Sequence, residues 1–260
     1  MTQGGDRLAG LGKVVDVLRG TERLTVLSGA GISTAAKIPI YRGPDGKFLD
    51  PETEEWLQCE SFEADPQAWY EKFWGLHEQI RDARPTLGHM ALKAMAEAGV
   101  VNDVVTQNVD ALDIRAGIDE GHVFEVHGVE RQLSCIGCDA SFETEAWLER
   151  NGKASPARCE RDGGLLKPDF NLYNDKYIRG YINDKGQRGV EALYEADGLL
   201  VVGTSLHIWP WNQAVVDAYR EKRPIVMVNP HPTKFDGAAR FIIRATADEG
   251  LQMLQEELAS

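Results

Sequence analysis

The stretch Thr106-Gln107-Asn108-Val109-Asp110 follows one short apolar run of the sequence, and Val126-His127-Gly128 closes the next. The two runs, residues 101–106 and 123–126, have the length and β-branched content of buried strands. An amide, a carboxylate and an imidazole therefore lie at the ends of two neighbouring predicted strands. Other predicted strands are followed by Gly29-Ala30-Gly31-Ile32-Ser33, Gly203-Thr204-Ser205 and Asn229. Because open parallel sheets bind ligands at the carboxyl ends of their strands, these motifs predict a ligand site along one sheet edge.

Predicted strands and helices alternate along most of the 260 residues, which is typical of an α/β protein. Residues 130–168 differ, because they hold three of the four cysteines, several turn residues and no long periodic segment. The predicted fold class is α/β, a Rossmann-like doubly wound parallel sheet with a small inserted zinc-ribbon and helical domain. We expect one catalytic domain, residues 1–260, in two parts. The large part is residues 7–37, 86–128 and 187–260, and the small part is residues 38–85 and 129–186.

Three local elements follow from turn residues and periodicity. A helix is expected to start directly after the glycine motif of residues 29–33. Residues 38–60 are predicted to form a long loop, because they are rich in proline and glycine. Residues 187–196 have the apolar spacing of a helix.

The chain is acidic, with 28 Lys and Arg against 41 Asp and Glu, a net charge of −13. Such a chain repels phosphate backbones and anionic lipids, so neither nucleic acid nor a membrane is expected as a partner. Acidity also serves solubility, which is the simpler reason for it. No segment reaches the roughly 18 apolar residues of a membrane span, and the N-terminus lacks a signal-peptide core, so we expect a cytoplasmic protein. The sequence leaves the oligomeric state open.

The glycine motif of residues 29–33 has two interpretations. Its glycines would let the backbone approach a pyrophosphate, with the negative charge favoured by the start of the following helix. Alternatively, they form a tight turn between a strand and a helix, with no ligand. Thr34 stands at the place of the third glycine of the dinucleotide-binding pattern, so the motif alone does not decide.

The polar residues that follow the predicted strands of residues 101–106 and 123–126 also have two interpretations. Gln107, Asn108 and Asp110 can bind ribose hydroxyls and a carboxamide, whereas Asn108 or Asp110 can also cap a helix near Val109. Both roles can coexist. His127 has the ordinary pKa, about 6.5, of a general base at neutral pH, although a histidine at a strand end is often structural. The other histidines lack such polar surroundings in the sequence.

The cysteines predict a metal site. Cys135 and Cys138, followed by Cys159 and Asp162, have the spacing of a zinc ribbon whose last ligand is changed. Three possibilities stay open: zinc on three thiolates and Asp162, zinc with water as its fourth ligand, or a module that has lost its metal. Cys59 is distant in sequence and is not included.

Together these motifs resemble the sirtuins, a family of NAD-dependent protein-lysine deacylases, over nearly the whole chain from Leu24 to Leu258. The motifs that carry the resemblance are Gly29-Ala30-Gly31-Ile32-Ser33, Ile38-Pro39-Ile40-Tyr41-Arg42-Gly43, Thr106-Gln107-Asn108-Val109-Asp110, Val126-His127-Gly128, Gly203-Thr204-Ser205-Leu206 and Val228-Asn229. The resemblance implies that NAD and an acyl-lysine peptide meet in a cleft between the two parts. The implied NAD-binding residues are Gly29, Ala30, Gly31, Ser33, Tyr41, Arg42, Gln107, Asn108, Asp110, His127, Gly203, Thr204, Ser205 and Asn229.

The resemblance also implies a mechanism. The acyl oxygen attacks the nicotinamide ribose, nicotinamide leaves, His127 acts as base on a ribose hydroxyl, and water completes the release of lysine and O-acyl-ADP-ribose. Asn108 would orient the ribose and the water, and Asp110 would hold the nicotinamide carboxamide. Tyr41 would shield the reactive carbon, and Arg42 would steady the cofactor loop.

The chain departs from the family pattern at several positions. Ile40 stands where many members carry Asp, Asp113 where many carry His, and Asp162 where the fourth zinc ligand is expected. Residues 167–175, which correspond to the peptide-binding segment, contain Asn171 and Asn174 in place of more apolar residues and a glycine.

The resemblance bears on the acyl group as well. Members that prefer acidic acyl groups carry Tyr and Arg at the positions that align with Phe73 and Leu76, so a neutral acyl group is expected.

Three functions remain in competition. The leading hypothesis is an NAD-dependent protein-lysine deacylase. The second is an ADP-ribosyltransferase or NAD hydrolase on the same fold, which the altered residues 167–175 motivate. The third is a non-catalytic NAD-binding module, against which the presence of His127, Asn108 and Asp110 argues.

Overall fold

We describe the protein from a computed structural model, in residues 3–39, 41–43, 45, 47–138, 140–178 and 180–260. Ile40, one of the departures from the family pattern, lies outside the described residues. The strands are β1 (Leu24–Ser28), β2 (Asp103–Thr106), β3 (Val123–Glu125), β4 (Gly128–Cys135), β5 (Ser141–Glu143), β6 (Leu166–Phe170), β7 (Gly198–Val202), β8 (Ile225–Val228) and β9 (Phe241–Ile243). The α-helices are α1 (Gln3–Arg19), α2 (Pro51–Trp56), α3 (Cys59–Ala64), α4 (Pro66–Asp82), α5 (Leu87–Glu97), α6 (Leu112–Ala116), α7 (Thr144–Asn151), α8 (Gly180–Glu195), α9 (Trp211–Arg220) and α10 (Ala247–Ala259).

Two sheets organise the chain. The larger has the order β3-β2-β1-β7-β8-β9, and all of its pairs are parallel. The smaller has the order β5-β4-β6 and is antiparallel. In the larger sheet the chain order reverses between β1 and β7, which is the switch point of a doubly wound sheet. The predicted fold class, a Rossmann-like parallel sheet with a small inserted domain, is confirmed.

The strands of the large sheet end level with one another. Ser28 at the end of β1 pairs with Thr106 on one side and with Val202 on the other. Thr106 pairs in turn with Glu125, and Val202 with Val228. The segments that follow these strands therefore emerge side by side at one edge, as the strand-end motifs predicted.

Two apolar layers cover the large sheet. Val26 and Leu200 face a cluster formed with α1, α5 and α10, whereas Leu27 and Val201 face a cluster formed with α8 and α9. Because both faces are buried, the strands are apolar at successive positions instead of alternating with polar residues. Burial of both faces therefore explains why the strands of this sheet appear in the sequence as short, continuous apolar runs.

A third cluster, rich in aromatic residues, joins α4 to the small sheet. Trp69 stacks on Phe73 with ring centroids 5.7 Å apart, and Trp74 stacks on Trp147 of α7 at 6.0 Å. Phe170 of β6 lies 6.3 Å from Trp69. Large aromatic side chains bury much apolar surface each, so this cluster stabilises a small sheet that has little core of its own.

The structure corrects three local predictions. No α-helix starts after the glycine motif, which itself contains a 3₁₀ turn at Ala30–Ile32 and is followed by a second one at Thr34–Ala36. The predicted loop of residues 38–60 contains α2, because the Asp50 carboxylate accepts hydrogen bonds from the first turn and Pro51 has the backbone angle of a first helical residue. The helix expected at 187–196 is α8 and begins at Gly180.

Two further observations concern the predictions for the whole chain. The proposed division into a large and a small part remains a prediction. No helix in the described residues combines the length and apolar character that crossing a bilayer requires.

The contact between the loops after β1 and β7 generates a test of stability. A Cβ atom at Gly31 would lie 2.6 Å from the Cα atom and 2.7 Å from the carbonyl oxygen of Gly203. Both are backbone atoms, which cannot move aside as a flexible side chain can. We expect Gly31→Ala to lower the free energy of unfolding by about 1–3 kcal/mol, measured by urea denaturation. Gly75→Ala on α4 is the matched control, since in the described part of the chain no atom outside the adjoining residues and the nearby backbone of α4 lies within 4 Å of its added Cβ. That control should gain about 0.5–1 kcal/mol from helix propensity. Equal stability of the Gly31 variant and the parent would contradict the close contact.

Candidate active site and metal centre

A cavity of about 730 Å³ opens at the carboxyl edge of the large sheet. Its volume lies in the range of sites for cofactors and small ligands. All the residues proposed to bind NAD line it: Gly29, Ala30, Gly31, Ser33, Tyr41, Arg42, Gln107, Asn108, Asp110, His127, Gly203, Thr204, Ser205 and Asn229. Residues separated by up to 200 positions in sequence are thus brought to one place by the level strand ends.

The glycine motif closes the cavity at the switch point by touching the loop after β7. The Gly31 amide donates to the Gly203 carbonyl at 2.8 Å, and Gly203 has a φ of +58°, which favours glycine. The glycines therefore allow two backbones to pack, a role that neither of the two interpretations named. Because no α-helix starts here, the expected contribution of a helix N-terminus to phosphate binding is wrong. Exposed backbone of the same turn still lines the cavity.

Asn108 and Asp110 are joined through a serine of the glycine motif. The Ser33 hydroxyl donates to Asp110 Oδ2 at 2.7 Å, and Asn108 Nδ2 donates to Ser33 Oγ at 3.0 Å. The other oxygen of Asp110 accepts from the Leu112 amide at 3.0 Å, just before α6. Asp110 therefore supports the start of α6 and also lines the cavity, where its predicted role in binding stays a prediction. Burial raises the pKa of the Asp110 carboxyl.

Asp113, at the position where many sirtuins carry a histidine, is buried on α6. Burial is the main cause that raises its pKa to about 8, and the nearby carboxylates Asp110 and Glu125 add to the effect. Its Oδ1 has no hydrogen-bond partner among the described residues. Asp113 is therefore a neutral carboxylic acid below about pH 8, next to the carboxylate that lines the cavity.

The ends of four strands are tied together by side-chain amides. Gln107 Nε2 donates to Thr204 Oγ1 at 3.0 Å and to the Ser28 carbonyl at 3.2 Å. Asn229 Nδ2 donates to the Thr204 carbonyl at 2.9 Å. These bonds fix the loops after β1, β2, β7 and β8 relative to one another, so the cavity wall is organised before any ligand enters.

His127 lies at the end of β3 with its ring buried. Desolvation lowers its pKa to about 4, while a hydrogen bond to the backbone of Gln107 acts in the opposite direction. The indole nitrogen of Trp211 donates to His127 Nε2 at 3.0 Å. The imidazole is thus a neutral group at physiological pH, as a general base must be. This bond was not predicted, because nothing in the sequence places the start of α9 beside the turn after β3.

The loop after Ile38 is held by aromatic contacts. The Arg42 guanidinium lies 4.0 Å from the centre of the Phe48 ring and donates to the Tyr173 hydroxyl at 2.7 Å. Burial raises the pKa of Tyr41 well above its usual value. Arg42 therefore connects this loop to the segment that follows β6, consistent with the steadying role expected for it.

Two polar residues in the cavity were not predicted as site residues. Asn171 Oδ1 and both ring nitrogens of His207 are buried without a hydrogen-bond partner among the described residues. The backbone N–H of Asn171 donates to the backbone carbonyl of His127 at 2.8 Å. His207 is one of the histidines that sequence analysis set aside, and it lines the cavity. Trp209 also lines the cavity and stays 75% exposed.

The metal site assembles at one end of the small sheet. The ligand atoms of Cys135, Cys138, Cys159 and Asp162 all lie within 4.8 Å of one another. A zinc ion about 2.3 Å from tetrahedral thiolates separates their sulfurs by about 3.8 Å. The Sγ atoms of Cys138 and Cys159 are 3.8 Å apart, and Cys135 Sγ lies 3.4 Å from Asp162 Oδ1. The four groups therefore fit zinc.

Backbone amides support the sulfur ligands. The Gly137 amide donates to Cys135 Sγ at 3.3 Å, and the Arg161 amide donates to Cys159 Sγ at 3.4 Å. Such bonds stabilise thiolates and orient them. Cys59, at the start of α3, is not among the grouped ligand residues, in agreement with its exclusion from the metal site.

The carboxylate ligand can be tested apart from activity. We expect the parent protein to bind about one zinc per chain, and Asp162→Asn to bind it at least about 10-fold more weakly, because the ligand loses its charge. Competition with a chromogenic chelator measures both affinities. Glu160→Gln is the control, because Glu160 lies in the same loop but pairs with Arg150 and Asn151. Equal zinc affinity in the parent and the Asp162 variant would instead indicate water as the fourth ligand.

The sequence is similar to that of known proteins along most of its length. The sequence matches the Sir2 family over residues 29–210. It is 31% identical over 244 residues to "NAD-dependent protein deacetylase 2" of Caldanaerobacter subterraneus subsp. tengcongensis, covering 92% of each chain. It is 32% identical over 245 residues to "NAD-dependent protein deacylase 2" of Pyrobaculum aerophilum, covering 94% of each chain.

Solved structures agree with these relatives. The fold matches a structure described as a Sir2 homolog–NAD complex with a TM-score of 0.81 and 26% identity, covering 95% of this chain and 93% of that one. It matches a Sir2–p53 peptide–NAD⁺ complex with a TM-score of 0.82 and 25% identity, covering 94% and 97%. Since the family match covers well over half of the sequence and close relatives span nearly all of it, this chain belongs to the Sir2 family, the sirtuins.

Proposed function

We propose that this chain is an NAD-dependent protein-lysine deacylase, which releases nicotinamide and O-acyl-ADP-ribose. The observation that carries the proposal is the meeting of His127, Asn108 and Asp110 in one cavity at the switch point of a Rossmann-like sheet. Relatives that match more than nine-tenths of the chain are named for this activity. The structure described as a Sir2–p53 peptide–NAD⁺ complex supports a protein substrate.

The cavity offers groups for both ends of NAD. NAD would supply the ADP-ribose that accepts the acyl group, with nicotinamide as the leaving group. Backbone of the Gly29–Gly31 turn and the Thr204 and Ser205 segment would face its phosphates and adenosine ribose. Asp110, held by Ser33, would accept hydrogen bonds from the nicotinamide carboxamide. Because these groups already bond one another, little reorganisation would accompany binding.

His127 and Asn108 would serve the chemical steps. His127 Nε2 carries a lone pair in a buried, neutral ring, so it can take a proton from a ribose hydroxyl. Asn108 is 8% exposed, and its amide is fixed by Ser33 and the Gly29 carbonyl. A fixed amide can orient a ribose hydroxyl or a water molecule without moving during the reaction.

Part of the cavity wall is apolar and suits the stem of an acyl-lysine. Phe170, Leu172 and Ile208 contribute to this apolar lining, together with Leu76 and Ile80 of α4. Phe73, which aligns with the tyrosine of acid-preferring members, is fully buried in the aromatic cluster. Because α4 contributes only apolar side chains to this wall, an acidic acyl group would lack a cation there.

Two further expectations belong to this proposal. We place the two parts of the chain, residues 7–37, 86–128 and 187–260 against residues 38–85 and 129–186, on either side of the cavity. We also place the protein in the cytoplasm, where three thiols grouped within ligand distance would stay reduced.

The proposal is tested by nicotinamide release from NAD, with and without an acetyl-lysine peptide. We expect release to require the peptide and to yield O-acetyl-ADP-ribose. His127→Ala should lower kcat/KM by about 10²–10⁴-fold, because it removes the general base. His122→Ala is the control, since that histidine is exposed and pairs with Asp103 away from the cavity. Nicotinamide release that is equally fast without peptide would replace the deacylase proposal with an NAD hydrolase or ADP-ribosyltransferase.

The acyl preference follows from the charge of the wall. With peptides of one sequence, we expect acetyl-lysine to be processed at least about 10-fold faster than succinyl-lysine, in kcat/KM. Burying an unpaired carboxylate costs several kcal/mol. A difference of about 1.4 kcal/mol already corresponds to a 10-fold difference in kcat/KM. Leu76→Arg should narrow this ratio by placing a cation on the wall. Faster removal of succinyl than of acetyl by the parent protein would show that another residue binds the carboxylate.

A further inference from the structure

Trp211 is the residue that contacts the proposed base directly yet has no part in the proposed function so far. It is the first residue of α9, is 5% exposed, and packs in the apolar cluster between α9 and the sheet. Its indole Nε1 lies 3.0 Å from His127 Nε2, with ring centroids 6.2 Å apart. The contact therefore joins the first side chain of α9 to the Nε2 atom of His127.

The chemistry of the two rings fixes the direction of this bond. An indole N–H is a donor only, so His127 Nε2 must be the acceptor and carry no proton. The proton of the neutral imidazole is then on Nδ1, where the backbone of Gln107 provides an acceptor. This is the tautomer in which Nε2 has a free lone pair as soon as the indole withdraws. Protonation of Nε2 would bring two N–H donors face to face.

We propose that Trp211 is a positioning residue that holds His127 in the base-competent neutral tautomer, and that a ribose hydroxyl of NAD replaces the indole N–H at Nε2. The exchange is balanced, because one neutral donor takes the place of another and no charge is created. This inference rests on the proposed function, since it assigns the hydroxyl to NAD. Trp211 lines the same cavity, and in this proposal it acts through His127.

Other ionisable groups surround the same cavity. They are Tyr41 and Arg42 from the loop after Ile38, Asp110 after β2, Tyr173 after β6, His207 after β7 and His231 after β8. Glu125, two residues before His127 on β3, is paired with Arg131. Trp211→Phe leaves all of them unchanged, so a change in the titration of His127 reports the lost N–H.

The sign of the effect follows from the bond. The indole stabilises neutral His127 and opposes its protonation, so Trp211→Phe should raise the pKa of His127. Loss of one hydrogen bond to the neutral ring corresponds to an upward shift of roughly 0.5–1 unit. The acidic limb of the activity profile should then lie at a higher pH in Trp211→Phe than in the parent protein.

The experiment compares Trp211→Phe with the parent in two readouts. The first is the pH profile of kcat/KM for deacetylation, whose acidic limb should move upward by the stated shift. The second is the pH titration of the His127 imidazole nitrogens by NMR in the absence of NAD, which needs no catalysis. Trp74→Phe is the matched control, because it also removes a buried indole bond, to the Ala154 carbonyl, far from His127. An unchanged His127 pKa in Trp211→Phe would overturn the proposal.

The replacement by ribose is tested on the parent protein, so it does not depend on the folding of a variant. The indole N–H resonance that shifts in His127→Ala is assigned to Trp211. Addition of NAD should move this resonance, as its acceptor is taken by the hydroxyl. If NAD shifts the resonances of other cavity residues while the Trp211 indole resonance stays in place, the proposed replacement of the indole N–H by a ribose hydroxyl is wrong. If NAD does not bind at all, the proposed function itself fails, whereas the tautomer assignment is still judged by the titration of His127.

Discussion

The contact between the glycine loops after β1 and β7 is the constraint on which the site depends. Gly31 and Gly203 meet backbone to backbone at the one point where the chain order of the sheet reverses. A side chain at either position would force the two loops apart and would widen the floor of the cavity. The bonds from Gln107 and Asn229 to Thr204 depend on the same closeness. The glycines are therefore required by packing first, and any approach of a phosphate uses the surface that this packing leaves.

The polar groups of the cavity are paired with one another before a ligand arrives. Ser33 links Asn108 to Asp110, and Trp211 occupies the lone pair of His127. Such pairing avoids the cost of buried, unsatisfied polar atoms in the free protein. Asn171 and His207 are the contrasting cases, because their polar atoms are buried without partners among the described residues. Binding at this site is thus an exchange of partners for some groups and a first partner for others.

Sequence patterns sufficed for the sheet and for the residues at its edge, because strand ends in a parallel sheet must lie together. His127 and Asp110 were found this way, although they stand 17 positions apart. The bond of Trp211 was missed because it depends on where α9 begins relative to the turn after β3, which no local pattern encodes. The helix at Pro51 was missed for another reason: proline content was taken as evidence of a loop, whereas Asp50-Pro51 is a favourable helix start.

Asp113 has a consequence for the proton balance of folding. Its carboxyl keeps its proton in the folded chain up to about pH 8, whereas an unfolded chain releases it near pH 4. Between these values folding takes up a proton at this position, and the raised pKa makes the folded state less stable as pH rises through that window. The enthalpy of unfolding should then vary with the ionisation heat of the buffer, even though Asp113 is sealed from solvent.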